Sequence, residues 1–374
     1  MFEPVLNVCC PNGAATCCFE RDANVNLNPI AALVEKSVSK GAAILVTGGA
    51  GYIGAHCCKA LSDAGYVPVC FDDLSTGHRS FVNWGPLIEG DVSDTSRVAE
   101  TIASHNVVAV MHFAAFSQVG ESVRAPQKYY LNNVCGTMSL LKAMLEQKCN
   151  SLVFSSTGAV YGNAGRGPIS ESAAGVAVNP YGASKWMIEQ ILADYRTAYG
   201  MNSFCLRYFN ACGADLSGSI GELRDPETHL IPRAMMTLQG HVSDFAIFGD
   251  DYETPDGTAI RDYIHVVDLA AAHVRAVDAL LNGSPGGRYN LGTGSGYSVR
   301  QVLTAIERET GLNVPLVTKP RRGGDPPILV ADPSAARADL DFVPACSDLT
   351  TIVRSSWAWH QFAHPRIEAK TRSR

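Results

Sequence analysis

Between residues 43 and 208 the chain repeats one figure: a short, continuous apolar run followed by a stretch with helical spacing. The runs are Ala43–Thr47, Val67–Phe71, Val107–Phe113, Ser151–Ser155 and Ser203–Tyr208. Helices are expected from Gly51 through about Ala64, near Ser96–Ser104, across Pro126–Gln147 and from Pro180 to Tyr199. Strands that do not alternate polar with apolar residues are covered on both faces, which demands a parallel sheet with helices above and below. The predicted fold is therefore α/β, a doubly wound parallel sheet of the Rossmann kind. With 374 residues, 46% hydrophobic and 18% charged, the chain has apolar material for such a sheet and a second, smaller unit. That balance excludes a disordered chain.

The first strand runs into Gly48-Gly49-Ala50-Gly51-Tyr52-Ile53-Gly54. Gly48 and Gly51 permit a tight turn that lets a diphosphate approach the backbone at a helix N-terminus, and Gly54 lets helix and strand pack closely. Asp72 ends the next strand, 18 positions beyond Gly54. A carboxylate there accepts hydrogen bonds from an adenosine ribose and repels a 2′-phosphate, so the expected cofactor is NAD rather than NADP. A second signal is Tyr181-Gly182-Ala183-Ser184-Lys185, at a helix start after Asn179-Pro180. Residues i and i+4 share a helical face. A tyrosine with its ordinary pKa near 10 is a poor base at neutral pH, and a neighbouring ammonium favours its phenolate. The preceding strand closes with Ser155, Ser156 and Thr157, hydroxyls at the edge where doubly wound sheets place their sites.

Three regions follow. Residues 1–41 read as an irregular extension with cysteine doublets at Cys9-Cys10 and Cys17-Cys18; residues 42–210 read as the NAD-binding domain, with about 267–292 returning to it. Residues 211–374 are mainly a mixed α/β substrate-binding domain, ending in the basic tail Lys370–Arg374. A net charge of -6 argues against nucleic acid as a partner. No apolar run is long enough to span a bilayer, and no signal peptide is recognised. The 12 cysteines lack metal-ligand spacing and read as reduced thiols, which fits a cytoplasmic location; no metal is expected.

These motifs resemble the extended short-chain dehydrogenase/reductase superfamily and, within it, the UDP-glucose 4-epimerase family of bacterial exopolysaccharide and galactose metabolism. The resemblance is carried by GGAGYIGAH (Gly48–His56), DDLSTGH (Asp72–His78), EGDV (Glu89–Val92), HFAAFSQVGES (His112–Ser122) and YYLNNVCGT (Tyr129–Thr137). It continues through FSSTGAVYG (Phe154–Gly162), NPYGASK (Asn179–Lys185), RYFNACGA (Arg207–Ala214), DGTAIRDYIHVVDLA (Asp256–Ala270) and RRGGD (Arg321–Asp325). It covers about residues 43–362 and implies a reversible, redox-neutral inversion at C4 of a UDP-hexose. Tyr181 would take the proton of the sugar 4-hydroxyl while the C4 hydride passes to NAD and returns from the opposite face. Thr157 would bond the 4-oxygen, with Ser156 as a substitute, and Lys185 would hold the nicotinamide ribose and tune Tyr181.

By position, the resemblance puts the cofactor against Gly48, Gly51, Tyr52, Ile53 and Gly54, and against Asp72, Asp73, Leu74, Ser75, Thr76 and Gly77 around the adenosine. Asp91 and Val92 would flank the adenine; Phe113, Ala114, Ala115, Phe116, Ser117, Asn132 and Phe209 would line the rest, beside Thr157, Tyr181 and Lys185. Ser117 stands where many family members have lysine. The sugar nucleotide would meet Thr157, Tyr181, Asn210, His229, Leu230, Ala246, Ile247, Phe248, Arg261, Arg322, Asp325 and Leu329. A sugar that must turn over cannot be gripped tightly, so two arginines on the diphosphate suit the task. Relatives are commonly homodimers. Competing readings are a 4-epimerase of UDP-xylose/UDP-arabinose or of UDP-N-acetylhexosamines, and a non-catalytic dinucleotide sensor. A 4,6-dehydratase is disfavoured because Gly158-Ala159, not carboxylates, follow Thr157.

Overall fold

The computed structural model describes residues 41–163, 167–173, 176–322 and 325–365. The extension (all but its last residue), its cysteine doublets and the tail Lys370–Arg374 lie outside the described residues, as do positions 323–324.

The chain opens with β1 (Ala43–Thr47), α1 (Tyr52–Asp63), β2 (Val67–Asp72) and β3 (Leu87–Glu89). Next come α2 (Thr95–Ser104), β4 (Val107–His112), α3 (Val119–Arg124), α4 (Pro126–Tyr129), α5 (Gly136–Glu146) and β5 (Ser151–Thr157). The middle runs α6 (Pro180–Tyr199), β6 (Asn202–Tyr208), β7 (Asn210–Cys212), α7 (Leu230–Leu238), β8 (Phe245–Phe248), β9 (Ile260–Arg261) and β10 (Tyr263–His265). Then follow α8 (Val266–Leu281), β11 (Gly286–Leu291), β12 (Tyr297–Ser298), α9 (Val299–Thr310), β13 (Leu316–Lys319), β14 (Ile328–Leu329), α10 (Ser334–Asp339) and α11 (Leu349–Ala363).

Seven of these strands form one parallel sheet in the order β3-β2-β1-β4-β5-β6-β11. The order reverses between β1 and β4, which opens a crevice at their carboxyl ends. All five residues of β1 are buried. Their side chains alternate: Ile44 and Val46 pack with α1 and α8, whereas Leu45 joins the layer under α2, α5 and α6. A buried strand therefore reads as unbroken apolar sequence.

The long helix expected over Pro126–Gln147 is interrupted. Between α4 and α5 lies a π-helical turn, Tyr130–Cys135. Its buried Asn133 accepts a bond from the Phe116 amide (2.9 Å) and donates to the Phe116 carbonyl (3.0 Å) and the Ser184 hydroxyl (3.1 Å). The widened turn lets one amide tie the loop after β4 to α6. The remaining strands form small sheets, β10-β7, β12-β9-β14 and β13-β8, around an apolar core shared by α7, α9 and α11. Trp359 of α11 is buried, and its indole donates to the Glu222 carbonyl (2.9 Å).

Candidate active site

The glycine turn sits at the switch point. Gly48 has φ +72°, and a Cβ on Gly54 would lie 2.1 Å from the Gly48 carbonyl oxygen, so neither position admits a side chain. No side chain caps α1 and no acidic residue occupies its first turn, which leaves the helix N-terminus available to an anion. Beside it, Asp72 accepts bonds from the amides of Ala50 (2.9 Å) and Leu74 (2.8 Å). Burial lifts its pKa above the ordinary carboxylate value, against those two bonds. Leu74 takes a positive φ of 58°, unusual for a side chain of that size. A Cβ on Gly77 would meet the Asp72 carboxylate at 2.8 Å. This set fits a dinucleotide: free amides for the diphosphate and an oriented carboxylate for the ribose.

Thr157 ends β5, and its hydroxyl lies close enough to the Tyr181 phenol to lower its pKa. Asn179 caps α6 by accepting from the Gly182 amide (2.9 Å), and Pro180 occupies the first turn, which fixes where Tyr181 leaves the helix. Burial raises the Tyr181 phenol, while the Thr157 bond and the Arg224 guanidinium pull it down. Lys185 is buried and donates to the Ser155 carbonyl (2.8 Å); burial pushes its pKa down to about 7, with Glu189 opposing. Burial thus acts against the charged form of both groups, opposing the phenolate expected from the ammonium reinforced by a positive nicotinamide ring.

Ser156 is not brought to that pair. Along β5, Ser155 and Thr157 share the face of Val153, and Ser156 shares that of Phe154. Its hydroxyl donates to Glu189 (2.5 Å), which also holds Arg207 (Nε, 2.9 Å) and Arg288 (3.2 Å) beneath α6. Tyr52 contributes no free phenol either, since its hydroxyl donates to the Gly213 carbonyl (2.6 Å). Val92 is buried, and Asp91 is exposed with its carboxylate on the Ser93 amide (2.8 Å). Phe113 to Phe116 follow β4 half-buried, and Ser117 is exposed. Asn132 bonds Asn133 (2.9 Å), and Phe209 stacks on Tyr161 with centroids 6.3 Å apart. Asp73 orders Ser75 through its amide (2.9 Å), and Thr76 is exposed.

Among the residues expected to hold the sugar nucleotide, Arg261 pairs with Asp325 (2.5 Å), and Arg322 lies over the Phe248 ring (4.0 Å). Ala246 and Phe248 share one face of β8; the Ile247 side chain turns instead into the core, so only its backbone can line a cleft. Leu329 packs on the cluster of Val160, Tyr161 and Ile169 with Phe209. Asn210 pairs with Tyr263 between β7 and β10, and Leu230 opens α7. His229 precedes that helix, its side chain 47% exposed, and its Nδ1 bonds Glu222 (2.6 Å).

Glu222 and Arg224 carried no motif in the sequence. Arg224 donates to Glu222 (2.8 Å), and Glu222, Glu227 and His229 offer ligand atoms within 4.8 Å of one another. Burial opposes ionisation of Glu222, but His229 and Arg224 hold its pKa below the ordinary value; burial and Glu222 itself raise Glu227. Glu222 in turn raises His229. The Arg224 guanidinium and the His229 ring, whose charged form Glu222 favours, are thus set against these carboxylates.

A family model described as the NAD dependent epimerase/dehydratase family matches residues 44–292. The chain is similar to the UDP-glucose 4-epimerase of Rhizobium leguminosarum bv. trifolii, with 50% identity over 320 residues, 86% of this chain and 98% of that protein. Its fold is similar to the crystal structure of UDP-glucose 4-epimerase from Brucella ovis in complex with NAD: TM-score 0.83, 52% identity, covering 85% of this chain and 98% of that one. The enzyme from Bifidobacterium longum in complex with NAD+ and UDP matches with TM-score 0.82 and 38% identity over 87% and 99% of the two chains. The matched stretch runs from β1 to just past β11, the whole seven-stranded sheet, and includes the glycine turn, Thr157 and the Tyr181–Lys185 pair. The chain belongs to the NAD-dependent epimerase/dehydratase family.

Proposed function

We infer that the chain is a UDP-glucose 4-epimerase, interconverting UDP-glucose and UDP-galactose with tightly bound NAD. The observation that carries this is an uncapped, glycine-built helix N-terminus at the switch point of the sheet, in a chain whose α6 carries Tyr181 one turn before Lys185, which is buried on the carboxyl end of β5 that Thr157 closes. When bound, NAD supplies reversible acceptance of the C4 hydride, so that the sugar passes through a 4-ketone and the net reaction is redox neutral.

The protein's own part is to bind, orient and move a proton. Tyr181 exchanges it with the sugar 4-oxygen, and Thr157 holds that oxygen and the phenol together. Lys185, desolvated and near its midpoint at neutral pH, is poised to take up charge when ribose oxygens reach it. Arg261 and Arg322 are suited to the diphosphate, which leaves the hexose free to turn. Glycines 48, 51 and 54 with Tyr52 and Ile53 would hold the cofactor diphosphate, and Asp72 its ribose.

In the same reading, residues 42–210 with 267–292 form the NAD-binding domain and 211–374 mainly the substrate domain. The enzyme works in the cytoplasm as a homodimer and serves galactose or exopolysaccharide metabolism. Exposed Val123, Leu131, Met138 and Met187 on α3, the π turn, α5 and α6 support the dimer. Among the described residues no helix is long and apolar enough to cross a membrane.

The test is a panel of UDP-sugars given to the purified protein without added cofactor. UDP-glucose and UDP-galactose interconvert; conversion of pentose or acetamido sugars alone would overturn the hexose assignment. Tyr181→Phe lowers kcat by about 10²–10⁴-fold while bound NAD is retained, and unimpaired turnover would remove the phenol from the mechanism.

A further inference from the structure

Two segments that hold the cofactor in the reading above also reach across to the sugar side, and both land on the same loop. Tyr52, the first residue of α1, donates its buried phenol to the Gly213 carbonyl (2.6 Å), 161 positions along the chain. His78 closes the ribose loop, and its Nε2 lies 3.0 Å from the Leu223 carbonyl. A carbonyl only accepts, so His78 carries its proton on Nε2. The His78 amide in turn donates to the Ala50 carbonyl (2.9 Å), tying the ribose loop to the glycine turn itself. Further along α1, Lys59 lies 3.7 Å from Asp215, whose carboxylate gathers the Ser217 and Ser219 hydroxyls. Trp359 holds the Glu222 carbonyl from the far side and packs on Phe81, which packs on His78.

The loop so pinned, residues 213–229, carries Glu222, Arg224 and His229 and leads directly into Leu230. Gly213 has φ +88°, and a Cβ there would strike the His265 ring at 2.5 Å, so the loop can leave β7 in one direction only.

We propose that Tyr52 and His78 are positioning residues for the sugar nucleotide, two struts through which the cofactor-binding backbone sets the loop 213–229 on the opposite wall of the cleft. Cofactor half and sugar loop then form one rigid unit. The sugar subsite is complete only where the glycine turn and ribose loop are in place, and the loop does not open independently of the cofactor. This inference rests on the epimerase reading of the cleft.

The test is steady-state kinetics of Tyr52→Phe, which deletes one hydroxyl, with NAD content measured on the same preparation. The expected result is KM for UDP-galactose up about fivefold, with a smaller fall in kcat per bound NAD. A merely structural bond would instead lower thermal stability and the active fraction while leaving KM unmoved, and that outcome overturns the proposal. His78→Ala supplies an independent arm, with a similar rise in KM. His78→Gln, whose amide nitrogen can replace Nε2 as donor, restores the parent KM if the strut is real; failure of that rescue counts against it. A parent enzyme that holds NAD yet turns over no UDP-sugar would sink the functional reading itself, and the struts' role with it.

Discussion

On the proposed cofactor wall of the cleft the surface is backbone: the amides of an uncapped helix, a turn that excludes Cβ atoms at Gly48 and Gly54, and one carboxylate aimed by two peptide N–H groups. On the sugar wall it is side chains. In the proposed site these are Arg261 of β9 and Arg322 from the segment after β13, held by Asp325 and the Phe248 ring, with Glu222, Arg224 and His229 from an irregular loop. A backbone wall has a fixed shape and suits a group that never leaves. A side-chain wall can yield, which a sugar presenting first one face and then the other requires.

If that contrast holds, a single methyl group should do more damage on the first wall than loss of a whole guanidinium on the second. In Gly54→Ala the new Cβ meets the backbone carbonyl oxygen of Gly48 at 2.1 Å, with no flexible end to move aside. The expected cost is about 1–3 kcal/mol of stability together with loss of most bound NAD, read by denaturant unfolding and by cofactor content after purification. Arg322→Ala, by contrast, removes a cation stacked on Phe248 and should raise KM by about tenfold with NAD retained. Full NAD in the glycine variant would break the comparison.

The next test separates the two faces of β5. Thr157→Ala removes the hydroxyl that pulls the Tyr181 pKa down, and kcat should fall about 10²-fold. Ser156→Ala removes a bond to Glu189 inside a buried ion cluster; it should cost about 1 kcal/mol of stability and leave turnover close to the parent value. Equal losses of kcat would return Ser156 to the reaction.

That pair also shows what the sequence makes legible. The period-two alternation of Ser151–Thr157 already separates Ser156 from Thr157, because Val153 and Phe154 face opposite layers. Reading the hydroxyls as one cluster passed over that signal. The sheet, its switch point and the glycine turn were readable because each is enforced locally: unbroken apolar runs for buried strands, glycine where a Cβ cannot fit. The interruption at Tyr130–Cys135 was not, since its cause is the contact of Asn133 with a loop 17 positions away. Glu222, Arg224 and the phenol of Tyr52 were invisible for the same reason. Their partners arrive by folding, from as far as 161 positions along the chain, and no local pattern records them.

The smallest effect concerns Lys185 of α6, whose ammonium donates to the Ser155 carbonyl near the carboxyl end of β5. Burial holds its pKa down to about 7 in the folded protein, from an ordinary value of 10.5. Between those two values the unfolded chain binds more protons than the folded one, so the stability that Lys185 permits rises with pH across that window. Below about pH 7 both states are charged and the folded protein carries the full cost of a dry ammonium. Lys185→Met removes that dependence. In NAD-free protein its gain in stability over the parent should therefore be larger at pH 6 than at pH 9, measured by urea midpoints. The buried thiols, whose pKa values burial raises, titrate with the opposite sign but cancel in the difference between variant and parent. Equal gains at the two pH values would mean that the ammonium is solvated, and with it that the carbonyl of Ser155 is not its principal partner.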